Sequence, residues 1–291
     1  MDTHVAKKLG PFVDCTSNQA IAYFELTKLD TDNTKTLFHQ DLITEAKADA
    51  AGRLKDFQNS IFEEFVVEIL MVKLQIQFIS STTGYLRVQT NPKLSYSTRA
   101  IVQNAFRIIA IFKALAPNVD PKRVCIKVPA AWEGLQACEV ISANGIATLA
   151  TTVFCMEQAA LAGAACCTYI APYVNELKVH FGPVFLPPSF TSIDEVTKLA
   201  GTDHITIAPG LLAELNTTDA NSQPGKLGKY VSDGPESTDW DIRDYRALIG
   251  DEAAWRLEFT RSGFGARQDH TGYQPLLGLS GEDGGVGQRR L

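Results

Sequence analysis

The chain has 291 residues, 45% hydrophobic and 21% charged, the make-up of a globular protein long enough for one large α/β domain or two small ones. A net charge of −6 and a pI near 5.4 leave no basic footprint for nucleic acid or an anionic membrane, so neither is an expected partner. Six cysteines, at 15, 125, 138, 155, 166 and 167, lack metal-ligand spacing and read as small buried hydrophobes of a reducing compartment. The opening MDTHVAKKLG has no apolar core of signal-peptide length, and no apolar run approaches the ~18 residues of a membrane span, so the expected location is the cytoplasm.

Residues 10–18 (GPFVDCTSN) read as a turn, a very short strand and a polar cap, in which Thr16, Ser17 and Asn18 can start a helix from Gln19 to Leu26. A polar linker over 30–34 and an exposed helix over 35–57 follow. Asn59 and Ser60 then cap a helix over 61–78, with Phe62, Phe65, Val66, Ile69 and Leu70 on one side. Gly84 to Pro92 is a strand entering a proline-marked polar loop. An amphipathic helix over 97–116 comes next, ended by Pro117 and Pro121.

Val124 to Pro129 (VCIKVP) reads as a buried strand that contains a lysine. Alternation puts Val124, Ile126 and Val128 on one face and Cys125, Lys127 and Pro129 on the other. A lysine desolvated on that second face has a lowered pKa and offers a free amine that attacks carbonyls. Lysines at strand ends also snorkel to water or pair with carboxylates, so the stretch alone does not decide its role.

Beyond it, the pattern predicts a helix over 132–144 stopped by Gly145, a strand over 146–154 and an alanine-rich helix over 156–166. Strands are expected over 168–174, 184–188 and 204–208, with helices over 193–200, 211–215 and 251–260. Residues 216–239 read as loop and 280–291 as disordered. Alternating strands and helices imply a parallel sheet, and seven strands in about 200 residues favour a (β/α)8 TIM-type barrel. No glycine-rich phosphate turn follows the first strand, which argues against a dinucleotide-binding sheet. Residues 1–260 are expected to form one barrel domain, followed by a poorly ordered tail over 261–291. Barrel chemistry sits where strands end. Those positions hold Asp14, Asn18, Gln89, Asn91, Lys127, Thr151, Tyr173, Ser189 and Thr191, a polar ring around an amine.

Five blocks carry a resemblance: residues 14–18 (DCTSN), 91–96 (NPKLSY), 126–134 (IKVPAAWEG), 171–174 (APYV) and 205–209 (ITIAP). In this order, over residues 2 to 215, they resemble the motifs of the transaldolase family, a class I aldolase-type barrel. The resemblance implies that Lys127 is the Schiff-base lysine, that Asn18 holds substrate hydroxyls and that Thr151 positions a catalytic water. Gln89 stands where transaldolases carry a glutamate, and an amide does no acid/base work at neutral pH. Glutamine there, with Tyr173 in an APYVN run, is similar to the fructose 6-phosphate aldolases of the same superfamily, in which the tyrosine does the acid/base work.

The family's phosphate clamp has arginines where this chain has Glu176 and Thr191, although Ser189 is kept. A carboxylate repels a phosphate dianion where a guanidinium would fork onto it. Strands six and seven are joined by only residues 174–183, so the crossover helix there is expected to be lost or short. The chain also starts close to the second strand, so the barrel is expected to be incomplete, with Asp2 a candidate remnant of the first strand's aspartate.

The implied function is transfer of a dihydroxyacetone unit from a ketose phosphate to an aldose phosphate, with Tyr173, Gln89, Thr151 and Asp2 serving Lys127, and Asn18, Asn91, Ser189 and Thr191 binding substrate. No cofactor or metal is implied, and a homodimer is a possible assembly. The alternatives are a divergent class I aldolase for an unphosphorylated carbonyl compound, and an inactive relative.

Overall fold

A computed structural model describes residues 3–30, 37–53, 55, 57, 61–173, 190, 192–219 and 245–261. Helix α1 (Thr3–Leu9) leads into strand β1 (Cys15–Thr16), and α2 (Gln19–Leu26), α3 (Gln40–Arg53) and α4 (Phe62–Ile76) intervene before β2 (Leu86–Gln89). Then α5 (Thr98–Leu115), β3 (Val124–Pro129), α6 (Trp132–Ala143), β4 (Ala147–Val153), α7 (Met156–Ala164) and β5 (Tyr169–Pro172) alternate. Helices α8 (Ile193–Lys198), α9 (Pro209–Thr217), α10 (Arg246–Ile249) and α11 (Glu252–Arg261) follow. The five strands are parallel and lie side by side in chain order.

Adjacent strands are about 4.8 Å apart, so β2 and β5 would be separated by about 14 Å in a flat sheet. Instead the Arg87 guanidinium on β2 lies 4.3 Å from the Tyr169 ring centre on β5, and the Tyr85 and Tyr169 rings are 5.8 Å apart. The sheet is therefore curled into a half-barrel, its concave face lined by polar and charged side chains. Among the described residues this is a partial (β/α) barrel, in keeping with the TIM-type fold that the alternating pattern implies.

The convex face carries the core. Leu86, Val88, Val124, Ile126 and Val128 pack against α4, α5 and α6 through Phe65, Ile69, Ile101, Ile108, Phe112 and Ile141. Fully burying a side chain of this size stabilises the fold by about 1.5–3 kcal/mol. A second core joins Ala150, Val153, Leu161 and Ala162 to Trp255 and Phe259 of α11, and the Trp255 indole donates to the Glu157 carbonyl at 3.0 Å. Helix ends follow local chemistry. Ser97 Oγ accepts from Ala100 N–H at the start of α5, and Gly145, with φ 75°, follows the end of α6 in the left-handed region that glycine tolerates.

Several expectations change. Residues 204–208 form no strand: they have no ladder partner among the described residues, and His204 instead meets Tyr169 edge-on at 5.1 Å. The loop expected from 216 begins later, because Asn216 and Thr217 complete the last turn of α9. Of the six cysteines, Cys125 and Cys138 are buried, but Cys166 is exposed on a turn of positive φ and the other three are half-buried. The strand expected over 184–188, the crossover over 174–183, and Asp2, Glu176, Ser189 and Thr191 lie outside the described residues, as does the tail from 262.

Candidate active site

The strand alternation that packs Val124, Ile126 and Val128 outward turns Lys127 onto the concave face, where it is only 8% exposed. Its ladder neighbours are Gln89 on β2 and Leu149 on β4. No hydrogen bond or ion pair reaches its Nζ from the described residues. Burial, and then the charge of Arg87, lower its pKa from 10.5 to about 8. Lys127 is thus a buried amine of lowered pKa rather than half of an ion pair.

Around it the concave face is polar and under-bonded. Gln89 Nε2, Thr151 Oγ1 and Thr16 Oγ1 are buried without a hydrogen-bond partner among the described residues. Unpaired buried polar atoms are rare in stable folds and mark places where a ligand or water completes the bonding. Tyr173, just past β5, has its N–H bonded to the Val153 carbonyl and its ring edge-on to Phe154 at 5.2 Å. Burial raises the pKa of its phenol, so it stays protonated near neutrality.

A bulge sets the aim of these groups. Ala150 pairs with Ile170 and Val153 with Pro172, so Thr151 and Thr152 together stand opposite Ala171 alone. Thr152 takes φ 58°, an outlier for a β-branched residue. The bulge keeps Thr151 facing inward while Ala150 and Val153 both enter the outer core with α7 and α11. Gln158 of α7 holds this geometry: its Nε2 donates to the Ala130 and Thr152 carbonyls at 2.9 and 3.0 Å, and its Oε1 accepts from Phe154 N–H at 2.7 Å. A Cβ on Gly134 would lie 2.0 Å from the Pro129 carbonyl oxygen, so glycine lets α6 close against the lysine strand.

The asparagines are more committed than the sequence suggests. Asn18 Oδ1 caps α2 by accepting from Ile21 N–H at 2.8 Å, which leaves its amide N–H2 for another partner. Asn91 Oδ1 caps the short turn over Pro92–Leu94, and its N–H donates to Asn104 Oδ1 at 2.9 Å. Asn104 in turn donates to Glu68, which is ion-paired with Arg107. The structure thus brings Lys127, Gln89, Thr151 and Tyr173 to one face, with Asn18 at its rim and Asn91 in a supporting network. Asp14 does not belong to the ring of strand ends. It precedes β1 at the opposite end, where it accepts from Tyr85 N–H and pairs with Arg87.

Arg87 is the residue that sequence reading missed. It shares the inward parity of Gln89 two positions later, and that parity is the one signal that could have found it. Among the described residues no group of three or more His, Cys, Asp or Glu is placed to hold a metal, and no helix is long and apolar enough to cross a membrane.

The family model of transaldolase/fructose-6-phosphate aldolase matches residues 3–185, well over half of the chain. The chain belongs to this family. It is 28% identical over 221 residues to a transaldolase of Chlamydia felis, covering 65% of this chain and 66% of that protein. It is 29% identical over 181 residues to a transaldolase of Trichormus variabilis, covering 51% and 54%. A transaldolase of Pseudoalteromonas atlantica is 29% identical over 183 residues, 52% of this chain and 57% of that protein. The chain thus spans between about half and two thirds of the length of these transaldolase-family relatives.

Proposed function

We propose that this chain is a Schiff-base enzyme of transaldolase type that moves a dihydroxyacetone unit from a ketose phosphate to an aldose phosphate. The observation that carries the reading is Lys127, a buried amine with no carboxylate beside it among the described residues and a pKa of about 8. Its Nζ attacks the ketone carbon, and the carbinolamine oxygen takes up a proton and leaves as water. The iminium then accepts the electrons of the breaking C–C bond, while the donor's hydroxyl proton passes to a base as the aldehyde departs. The enamine left on Lys127 adds to the acceptor aldehyde, and water releases the product.

Tyr173 is the proton shuttle in this scheme, because its phenol keeps a proton that a carbinolamine oxygen needs. Thr151 and Gln89, with unpaired polar atoms, orient the water, and Asn18 and Asn91 contact substrate hydroxyls. Ser189 and Thr191 are assigned to the substrate's phosphate end, and Asp2 to a supporting proton transfer. The domain is taken as residues 1–260, the tail as 261–291, and the compartment as the cytoplasm.

One feature favours a second reading. Glu176 and Thr191 replace the arginines that the family uses to grip phosphate, so an unphosphorylated carbonyl compound is the alternative substrate. Transfer assays separate the two. Fructose 6-phosphate as donor and erythrose 4-phosphate as acceptor should give a new seven-carbon ketose phosphate. Turnover of dihydroxyacetone with a simple aldehyde but not of the phosphate would establish the second reading, and turnover of neither would mark an inactive relative.

A further inference from the structure

Arg87 has no part in the scheme above, yet it is the best-held charge on the concave face. It is 5% exposed, ion-paired with Asp14 and stacked over Tyr169 at 4.3 Å. The ladder pairs Arg87 with Cys125 and Gln89 with Lys127, so Arg87 stands one inward step below Lys127 on the neighbouring strand. Its Nε is buried without a hydrogen-bond partner among the described residues, so the Asp14 pair leaves part of the guanidinium unbonded. The carboxylate that balances it belongs to Asp14, just before β1, and is anchored by the N–H of Tyr85, just before β2.

We infer that Arg87 is a positioning residue for Lys127: clamped by Asp14 and Tyr169, it places a fixed positive charge beneath the amine, and this charge enlarges the fraction of free amine by disfavouring the ammonium. The inference rests on the Schiff-base reading of Lys127 for its meaning, but not for its test. Arginine stays charged at any working pH, so the effect is constant where a lysine or histidine in its place would titrate. Repulsion between like charges disfavours the ammonium and leaves the neutral amine alone. The direction agrees with the lowered pKa of Lys127, for which Arg87 is the second cause after burial. Asp14 is the restraint: it fixes the guanidinium and partly cancels its field. The other titratable groups around the pair are Cys125 beside the lysine, Cys15 of β1, Tyr85 before β2, Tyr169 at the start of β5, Tyr173 past its end, and His204, 3.9 Å from Asp14. The Cys125 thiol, pushed up to about 12, stays neutral through the relevant range.

The test follows Lys127 directly by NMR titration of protein labelled at lysine Cε, with its signal assigned by loss in Lys127→Met. Arg87→Gln should raise the midpoint by about one pH unit, a roughly tenfold loss of free amine at pH 7. Arg87→Lys should hold the midpoint near the wild-type value. Asp14→Asn keeps the acceptor for Tyr85 N–H but removes the balancing charge, so it should move the midpoint down. If Arg87→Gln fails to fold because it orphans Asp14, the double variant Asp14→Asn/Arg87→Gln removes both charges and should again raise it. A purely structural Arg87 would give no shifts of opposite sign. Unmoved midpoints, or shifts of one sign in Arg87→Gln and Asp14→Asn, overturn the inference. Opposite shifts in a protein that never forms an imine would keep the inference and sink the proposed function.

Discussion

Replacing Lys127 by methionine should make the protein more stable while abolishing imine formation. The side chain sits in a site 8% exposed, and its pKa is about 8 against an ordinary 10.5. A folded value below the unfolded one means that the folded state bears the cost of burying an ammonium. That cost is full below about pH 8 and fades as pH rises to the unfolded value. At about 1.36 kcal/mol per pH unit it is about 3 kcal/mol at pH 7. Methionine fills a similar volume without the charge. Urea denaturation at pH 7 should therefore show Lys127→Met more stable than wild type by about 2–3 kcal/mol, with the gap near zero by about pH 11. A variant no more stable at pH 7, or a gain unchanged at high pH, would refute the reasoning. The lysine is held at a cost in stability, as expected for a group kept for chemistry.

Three further substitutions probe the surroundings. Gln89→Glu places a carboxylate at the ladder position beside Lys127, so the pH midpoint for imine formation should rise by about one unit or more, measured from trapping rates against pH. Gln158→Leu leaves the Ala130 and Thr152 carbonyls and the Phe154 N–H without their partner, a loss of about 2–4 kcal/mol in urea denaturation, together with slower trapping as the Thr151 bulge relaxes. Gly134→Ala drives a methyl to 2.0 Å from the Pro129 oxygen, so α6 must lift from β3, and the melting temperature should fall by several degrees.

Much of the candidate site's geometry was legible because strand alternation is a hard rule. Once Val124, Ile126 and Val128 were read as the core face, Lys127 had to lie on the other. Asn18 and Gly145 were equally legible, since helix ends are marked by local chemistry. What was not legible depended on distant partners or on rare backbone. Arg87 reads as an exposed strand charge until Asp14, 73 residues earlier, and Tyr169 are brought to it across the curl. The Thr152 bulge breaks the alternation, and a β-branched residue is the least expected place for a left-handed conformation. Gln158 looks like an ordinary polar residue of an alanine-rich helix, and only the fold shows that it ties two strand ends together. Residues 204–208 alternate like a strand, but a strand exists only with a ladder partner.

The central claim is that Lys127 forms an imine with a ketone substrate, and borohydride trapping tests it most directly. The protein is incubated with dihydroxyacetone or fructose 6-phosphate, reduced, digested and mapped by mass spectrometry. The account predicts one reduced three-carbon adduct, on the peptide holding Lys127, and none in Lys127→Met. No adduct with either ketose, or an adduct on another lysine that persists in Lys127→Met, would contradict it.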